Sequence, residues 1–386
     1  MLTKKHFIPF AKPFIKDEEI NEVVSTLKNG WLTAGPQVDR FEENLSEYLE
    51  CESVVALSSC SAALFLALKS LKLKEGDEVI TTPFTFISTV LSILHAGGKP
   101  VLVDIEPGTF HLDPEGVRSA ITPKTRAILP VHYGGDPCRM DDIIAIAKEF
   151  DLAVIEDAAH AIGAKYKGKM IGNLDTYATC FSFYANKNLS IGEGGALATN
   201  NKKLADEVRL LSCHGMTKDA WDRYGDKGEW KYDIIAAGFK SNMTDIQASI
   251  GIHQLKRLNR MNDLRRKLSN LYTENLKHLD SLKLPGLNPD GASAHHLYPI
   301  QYKGAQDRGK TRSKIIEYLK KAGIQTSVHF IPVCSFPWVQ KELGFKEEDY
   351  PEAMNTYYQL ISLPLYPDLS DEDVCYVTDA IEEYVS

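Results

Sequence analysis

Between residues 53 and 183 the chain alternates short apolar runs with helical stretches, and few architectures accept that order. Six runs have strand character: Val54–Leu57, Glu78–Thr81, Pro100–Asp104, Arg126–His132, Leu152–Asp157 and Thr179–Phe183. Helical patterns separate most of them: Ser61–Lys72, Phe84–His95, Pro114–Ile121 and Arg139–Phe150. Strand–helix–strand repetition predicts parallel strands with helices on both faces of the sheet. Ligands of such sheets sit outside the carboxyl ends of the strands. The residues that follow each run are therefore the first place to look for chemistry.

The pattern changes near Thr244. A long helical stretch runs to about Leu276, with apolar positions at Ile246, Ile250, Leu258, Met261, Leu264, Leu268 and Leu271. Thr244 or Ser241 is placed to cap its start, and its length leaves room for a kink. A Pro/Gly/Asn-rich stretch over 284–291 follows, then a strand (His296–Tyr302) and two helices (Thr311–Ala322, Asp371–Tyr384). Two helices, Asp17–Lys28 and Pro36–Leu49, precede the first strand. The expected organisation is a large α/β domain over residues 1–245 and a smaller α+β domain over 246–386.

Composition narrows the class. With 386 residues, 44% hydrophobic and 25% charged, the chain is neither a disordered tail nor a small disulfide scaffold. No apolar run approaches a membrane span, and the first ten residues make a poor signal peptide. The net charge of −8 argues against a nucleic-acid backbone as partner. Seven cysteines at irregular spacing, none in a CxxC pair, fit reduced thiols in a cytoplasmic protein better than disulfides or a zinc site. A basic cluster on the long helix (Lys256, Arg257, Arg260, Arg265, Arg266, Lys267) reads as a solvated face.

Four segments at strand ends carry chemistry. The run Leu152–Ile155 ends in Glu156-Asp157-Ala158-Ala159-His160. A buried aspartate there calls for a cationic partner, although a helix-capping aspartate looks the same. Lys187 follows another strand end and precedes Gly192-Glu193-Gly194-Gly195, where a backbone can approach a ligand closely. Ser58-Ser59-Cys60-Ser61 joins a strand to a helix, which makes either an anion site or a simple cap. Thr81–Phe86 places aromatics past a further strand end, as core or as cover for a flat ligand. There is no GxGxxG or Walker fingerprint. An amine for an imine, an acid for a pyridinium nitrogen, a helix N-terminus for a phosphate and an aromatic for a ring are together what pyridoxal phosphate requires.

In this order, the motifs resemble those of the DegT/StrS nucleotide-sugar aminotransferases, pyridoxal-phosphate enzymes of fold type I. The segments that carry the resemblance are Gly30–Pro36, Gly76–Ile80, Glu156–His160, Gly192–Gly195, Gly238–Ala248 and Ser362–Tyr366. The resemblance implies a mostly parallel central sheet between helices, with a smaller C-terminal α+β domain. Lys187 matches the imine-forming lysine, and Asp157 the acid that keeps the ring nitrogen protonated. Phe86 matches the stacking aromatic and Ser182 a phosphate-binding serine. Ser59, Cys60 and Ser61 match the phosphate cup, with Cys60-Ser61 where the family usually has Gly-Thr. His160 stands beside the ring or its 3-hydroxyl, where many relatives have Gln.

The resemblance also implies a homodimer whose active sites lie at the interface, with Lys240 or Asn242 reaching the partner subunit's phosphate site. Trp31, Thr33, Tyr184 and His329 fall in segments that approach the sugar, and Cys334 replaces a second histidine of many relatives. The implied reaction passes an amino group from glutamate, leaving 2-oxoglutarate, through pyridoxamine phosphate to a nucleotide-linked keto sugar. The segment from His214 to Tyr224 is similar to relatives acting at C4 of UDP-linked 4-keto sugars, for surface polysaccharide or glycan. Amination at C3 of a dTDP-linked keto sugar, a cyclitol ketone as acceptor and a catalytically silent regulatory protein remain as alternatives.

Overall fold

A computed structural model of the chain describes residues 7–218, 220–224, 230–303 and 307–385. Residues 1–6 of the N-terminal segment, and Asp219 within His214–Tyr224, lie outside the described residues.

The sheet forms as the alternation predicts. Its seven strands run in the order Ser53–Leu57, Gly195–Thr199, Ala178–Ser182, Ala153–Asp157, Thr125–Ile128, Glu78–Thr81, Lys99–Leu102. The last five in that list pair in parallel, with Ile155 opposite Ala178 and Val154 opposite Ile128. Gly195–Thr199 runs antiparallel to both of its neighbours. Every residue of Ala178–Ser182 and Glu78–Thr81 is buried, because helices cover both faces of the sheet. One face packs Phe41, Ile143, Phe181 and Leu258; the other packs Leu57, Leu64, Ile93 and Leu197.

The fold departs from the sequence reading in several places. Gly195–Thr199 is a strand and Lys202–Ser212 a helix where none was expected. The helix expected over Phe84–His95 starts at Ile87, and the strand expected over His296–Tyr302 starts at Tyr298. Phe86 and His296 are thereby released from regular structure, which matters for the site below.

The long helix Asp245–Leu276 is one unbroken element of 32 residues, a span of about 48 Å. The Thr244 hydroxyl accepts from Gln247 N–H while the Gln247 side chain accepts from Thr244 N–H, a reciprocal cap. Further along the helix, Leu268, Tyr272 and Leu276 join the core of a small antiparallel sheet. Its strands are Leu282–Lys283, Tyr298–Tyr302 and Leu360–Leu363. Much of the basic cluster on this helix is paired: Arg257 meets Glu18 and Glu19, Arg266 meets Asp263, and Lys267 meets Asp371. Among the described residues, no helix is long and apolar enough to cross a membrane.

Candidate active site

The strand ends converge on a cavity of about 470 Å³. Ten of the residues singled out from the sequence line it: Ser59, Cys60, Ser61, Phe86, Asp157, His160, Ser182, Tyr184, Lys187 and His329. Four do not. The Trp31 indole donates to Ala34 O at 2.9 Å and packs edge-on against Trp221. Thr33 O accepts from Asp245 N–H at 3.0 Å. The Lys240 amine donates to Asn242 Oδ1 at 2.5 Å, and Asn242 pairs with Leu57 at the end of the first strand. This loop is therefore pinned beside Ser58, whose N–H donates to Ser241 O at 2.7 Å.

Asp157 ends the central strand and is 5% exposed. Its Oδ2 accepts from the Thr89 hydroxyl at 2.8 Å, and Thr89 is held by Thr85 at 2.7 Å. Its Oδ1 accepts from Ala159 N–H at 3.2 Å, a bond within a turn; among the described residues no helix follows this strand before Lys165–Tyr166, so Asp157 is not the helix cap that the alternative reading offered. Burial pushes its pKa up, against the hydrogen bonds from Thr89 and Ala159 and the fields of Lys187 and His132. A buried carboxyl in that state gains from a cation brought to it. Burial pulls the Lys187 amine down to about 8, while the Cys60 thiol and Asp157 push it back up.

Ser59 caps the Cys60–Ser70 helix by accepting from Ala62 N–H at 3.1 Å. The N–H groups of Cys60 and Ser61, in the first turn, have no intrahelical acceptor. The neighbouring strand comes so close that a Cβ at Gly195 would lie 2.4 Å from Cys60 N and 2.7 Å from Phe181 O. Glycine is therefore required for the strand to flank this helix end. Phe86 is 58% exposed, facing the cavity, whereas Phe84 next to it is core.

His160 is buried and its ring stacks on Phe330. Its Nδ1 accepts from Gly134 N–H at 3.2 Å, which leaves the proton on Nε2. Burial, then the fields of Lys187 and His329, hold it well below the usual histidine range, so it is neutral. His329 is pulled down to about 4 by burial and Lys187. The cavity wall also contains His132, Asn186, His296 and Phe330, which the sequence reading did not single out. The Asn186 Oδ1 is buried without a hydrogen-bond partner among the described residues.

This set fits pyridoxal phosphate on its donor chemistry. It offers an amine of depressed basicity, a buried acid that gains from a cation, a helix N-terminus with free donors and an exposed aromatic face, all in one cavity.

Comparison with known proteins agrees. Residues 13–382 match the model of the DegT/DnrJ/EryC1/StrS aminotransferase family. The spore coat polysaccharide biosynthesis protein SpsC of Bacillus subtilis is 48% identical over 383 residues, covering 99% of this chain and 98% of that protein. The PMP-form of the putative sugar aminotransferase Spr1654 from Streptococcus pneumoniae superposes with a TM-score of 0.91 at 35% identity, covering 98% of this chain and 100% of that one. Its PLP-form gives 0.91 at 34%, covering 99% and 100%. PseC of Helicobacter pylori, an aminotransferase involved in the biosynthesis of pseudoaminic acid, gives 0.91 at 26%, covering 98% and 99%. The chain belongs to the DegT/DnrJ/EryC1/StrS aminotransferase family.

Proposed function

We propose that the protein moves an amino group from glutamate to a nucleotide-linked keto sugar, at C4 of a UDP-linked 4-keto-6-deoxy sugar or 4-keto pentose. The observation that carries this reading is Lys187 and Asp157 sharing one cavity with the free N-terminus of the Cys60–Ser70 helix. The name of the SpsC relative supports a polysaccharide product.

Pyridoxal phosphate, when bound, supplies an aldehyde to take up the amine and a ring to accept electrons. The residues do the rest. The Cys60 and Ser61 N–H groups, with the Ser59 and Ser182 hydroxyls, hold the phosphate against the helix dipole. Asp157 receives the ring N–H and keeps that proton in place. The His160 Nε2–H serves as donor to the ring's 3-hydroxyl. Phe86 covers one ring face.

Lys187 takes and returns a proton at Nζ. A basicity near 8 leaves an appreciable fraction of neutral amine at working pH. Tyr184 and His329, which also line the cavity, approach the sugar. Trp31 and Thr33 approach the sugar, and Lys240 or Asn242 completes the partner subunit's phosphate site across a two-fold interface.

The test is a panel of nucleotide keto sugars incubated with glutamate, reading 2-oxoglutarate. The expected result is turnover with UDP-linked 4-keto sugars in preference to dTDP-linked 3-keto sugars. The opposite preference overturns the C4 assignment, and no 2-oxoglutarate with any acceptor overturns the donor.

A further inference from the structure

Lys187 sits in an irregular loop, residues 184–194, between two strands. A loop lysine loses its aim unless something outside the loop fixes it. The long helix Asp245–Leu276 supplies three fixing points. Gln247 Nε2 donates to Glu193 O at 2.7 Å, Gln254 Oε1 accepts from Ser190 N–H at 3.5 Å, and Asn262 Oδ1 accepts from Asn188 Nδ2 at 2.8 Å. The three are seven and eight residues apart, two turns each, so they fall on one helix face.

The point nearest the lysine is the most constrained. Asn188 is 4% exposed, and its amide makes three hydrogen bonds. Nδ2 donates to Asn262 Oδ1 and to Ala294 O at 2.7 Å, so Oδ1 accepts from His296 Nδ1 at 3.0 Å. That bond fixes the His296 proton on Nδ1. Arg265, one turn beyond Asn262, donates to His296 O at 3.3 Å and to Leu365 O at 2.8 Å. Asn262 Nδ2 donates to Ile162 O at 3.1 Å across Gly163, where a Cβ would lie 2.5 Å from that nitrogen. The His296 ring lies 4.3 Å from the His160 ring in the same cavity wall.

We infer that His296 and Asn262 are positioning residues, which clamp Asn188 from two sides and so aim the adjacent Lys187 amine into the cavity. This rests on the reading of Lys187 as the residue that bonds the cofactor. Burial holds His296 well below the usual histidine range, with the fields of His160, Lys187, Arg265 and His329 acting the same way. The clamp is thus made of neutral, directional hydrogen bonds. Covalent attachment joins Lys187 Nζ to the aldehyde carbon of pyridoxal phosphate as a carbon–nitrogen double bond and releases one water. Its rate reports the aim of the amine.

The experiment compares wild type with His296→Leu, Asn262→Leu and His296→Asn, the last of which restores a donor near the Nδ1 position. Two quantities are read: the rate at which added pyridoxal phosphate gives a borohydride-reducible absorbance band, and the rate of Lys187 labelling by an amine reagent in cofactor-free protein. Either leucine variant is expected to slow attachment on the order of 10- to 100-fold, the scale of a misplaced reacting group. Labelling of Lys187 changes relative to the other lysines, and His296→Asn recovers most of both rates. Leucine variants that attach and label at wild-type rates overturn the clamp, as does an asparagine variant no better than leucine. Should one leucine variant not fold, the other carries the test from the opposite side of Asn188. Wild-type protein that takes no cofactor overturns the functional reading instead, and the labelling rates still decide the clamp.

Discussion

The chemistry of Lys187 comes from where it is buried. Lifting an ammonium out of water costs more than Asp157 and Cys60 return, so the amine falls to about 8 from its ordinary 10.5. Between those values the unfolded chain holds a proton that the folded chain has released. The unfolding free energy of cofactor-free protein therefore rises with pH from about 8 to about 10.5 and levels off beyond. Its upper limit is on the order of 3 kcal/mol. Lys187→Met removes that rise, which urea unfolding at pH 7, 9 and 10.5 measures; equal slopes in the two proteins contradict the burial argument. Asp157→Ala keeps the fold and lowers turnover on the order of 10²- to 10⁴-fold. Near-normal turnover in that variant contradicts the role proposed for its carboxyl.

These two residues were legible because they follow strand ends in company with a helix N-terminus and an aromatic, a set that points to one ligand although each member alone has a structural explanation. His296 was not, since it reads as the first residue of a strand, and its role depends on Asn188 and Asn262, which are distant in sequence. Phe330 and Thr89 likewise reach the site through tertiary packing that no local pattern announces.

At the scale of elements, alternation of strand and helix specified all five parallel strands, although the strand expected over Arg126–His132 spans Thr125–Ile128 and that over Pro100–Asp104 spans Lys99–Leu102. It failed at Gly195–Thr199, a strand with one β-branched residue and a glycine at its start. That strand is stabilised by burial between two neighbours rather than by its own propensity. The same glycine lets it flank the N-terminus of the Cys60–Ser70 helix. Gly195→Ala, with its Cβ 2.4 Å from Cys60 N, forces strand and helix apart. The expected cost is about 1–3 kcal/mol of stability together with weaker cofactor retention, read by thermal unfolding and by dialysis of the loaded protein. Unchanged retention contradicts the close approach.

Asp245 shows a second device that sequence reading missed. From the first turn of the long helix it accepts from Gln37 N–H at 3.2 Å and Val38 N–H at 3.1 Å, capping the Pro36–Leu49 helix from outside. With Asp245 N–H bound to Thr33 O, this fixes the Trp31–Thr33 loop against the start of the long helix. Asp245→Ala is expected to cost about 1 kcal/mol, measured by urea unfolding. No loss of stability contradicts the external cap.

At the scale of the molecule, Lys240 and Asn242 lie outside the cavity of their own chain, and the proposed dimer gives them their task. Mixing Lys187→Met subunits with subunits carrying both Lys240→Ala and Asn242→Ala tests it. A mixed dimer contains one site with every native residue, so random exchange restores about a quarter of wild-type turnover from two inactive parents. No recovery after verified exchange contradicts sharing of residues across the interface.

The central claim is that one amine in this chain bonds the cofactor. The direct measurement is borohydride reduction of protein incubated with pyridoxal phosphate, followed by mass spectrometry of its peptides. The account predicts a visible band that reduction abolishes and a single stoichiometric label on Lys187. A colourless protein, or a label spread over surface lysines with Lys187 unmodified, would contradict it.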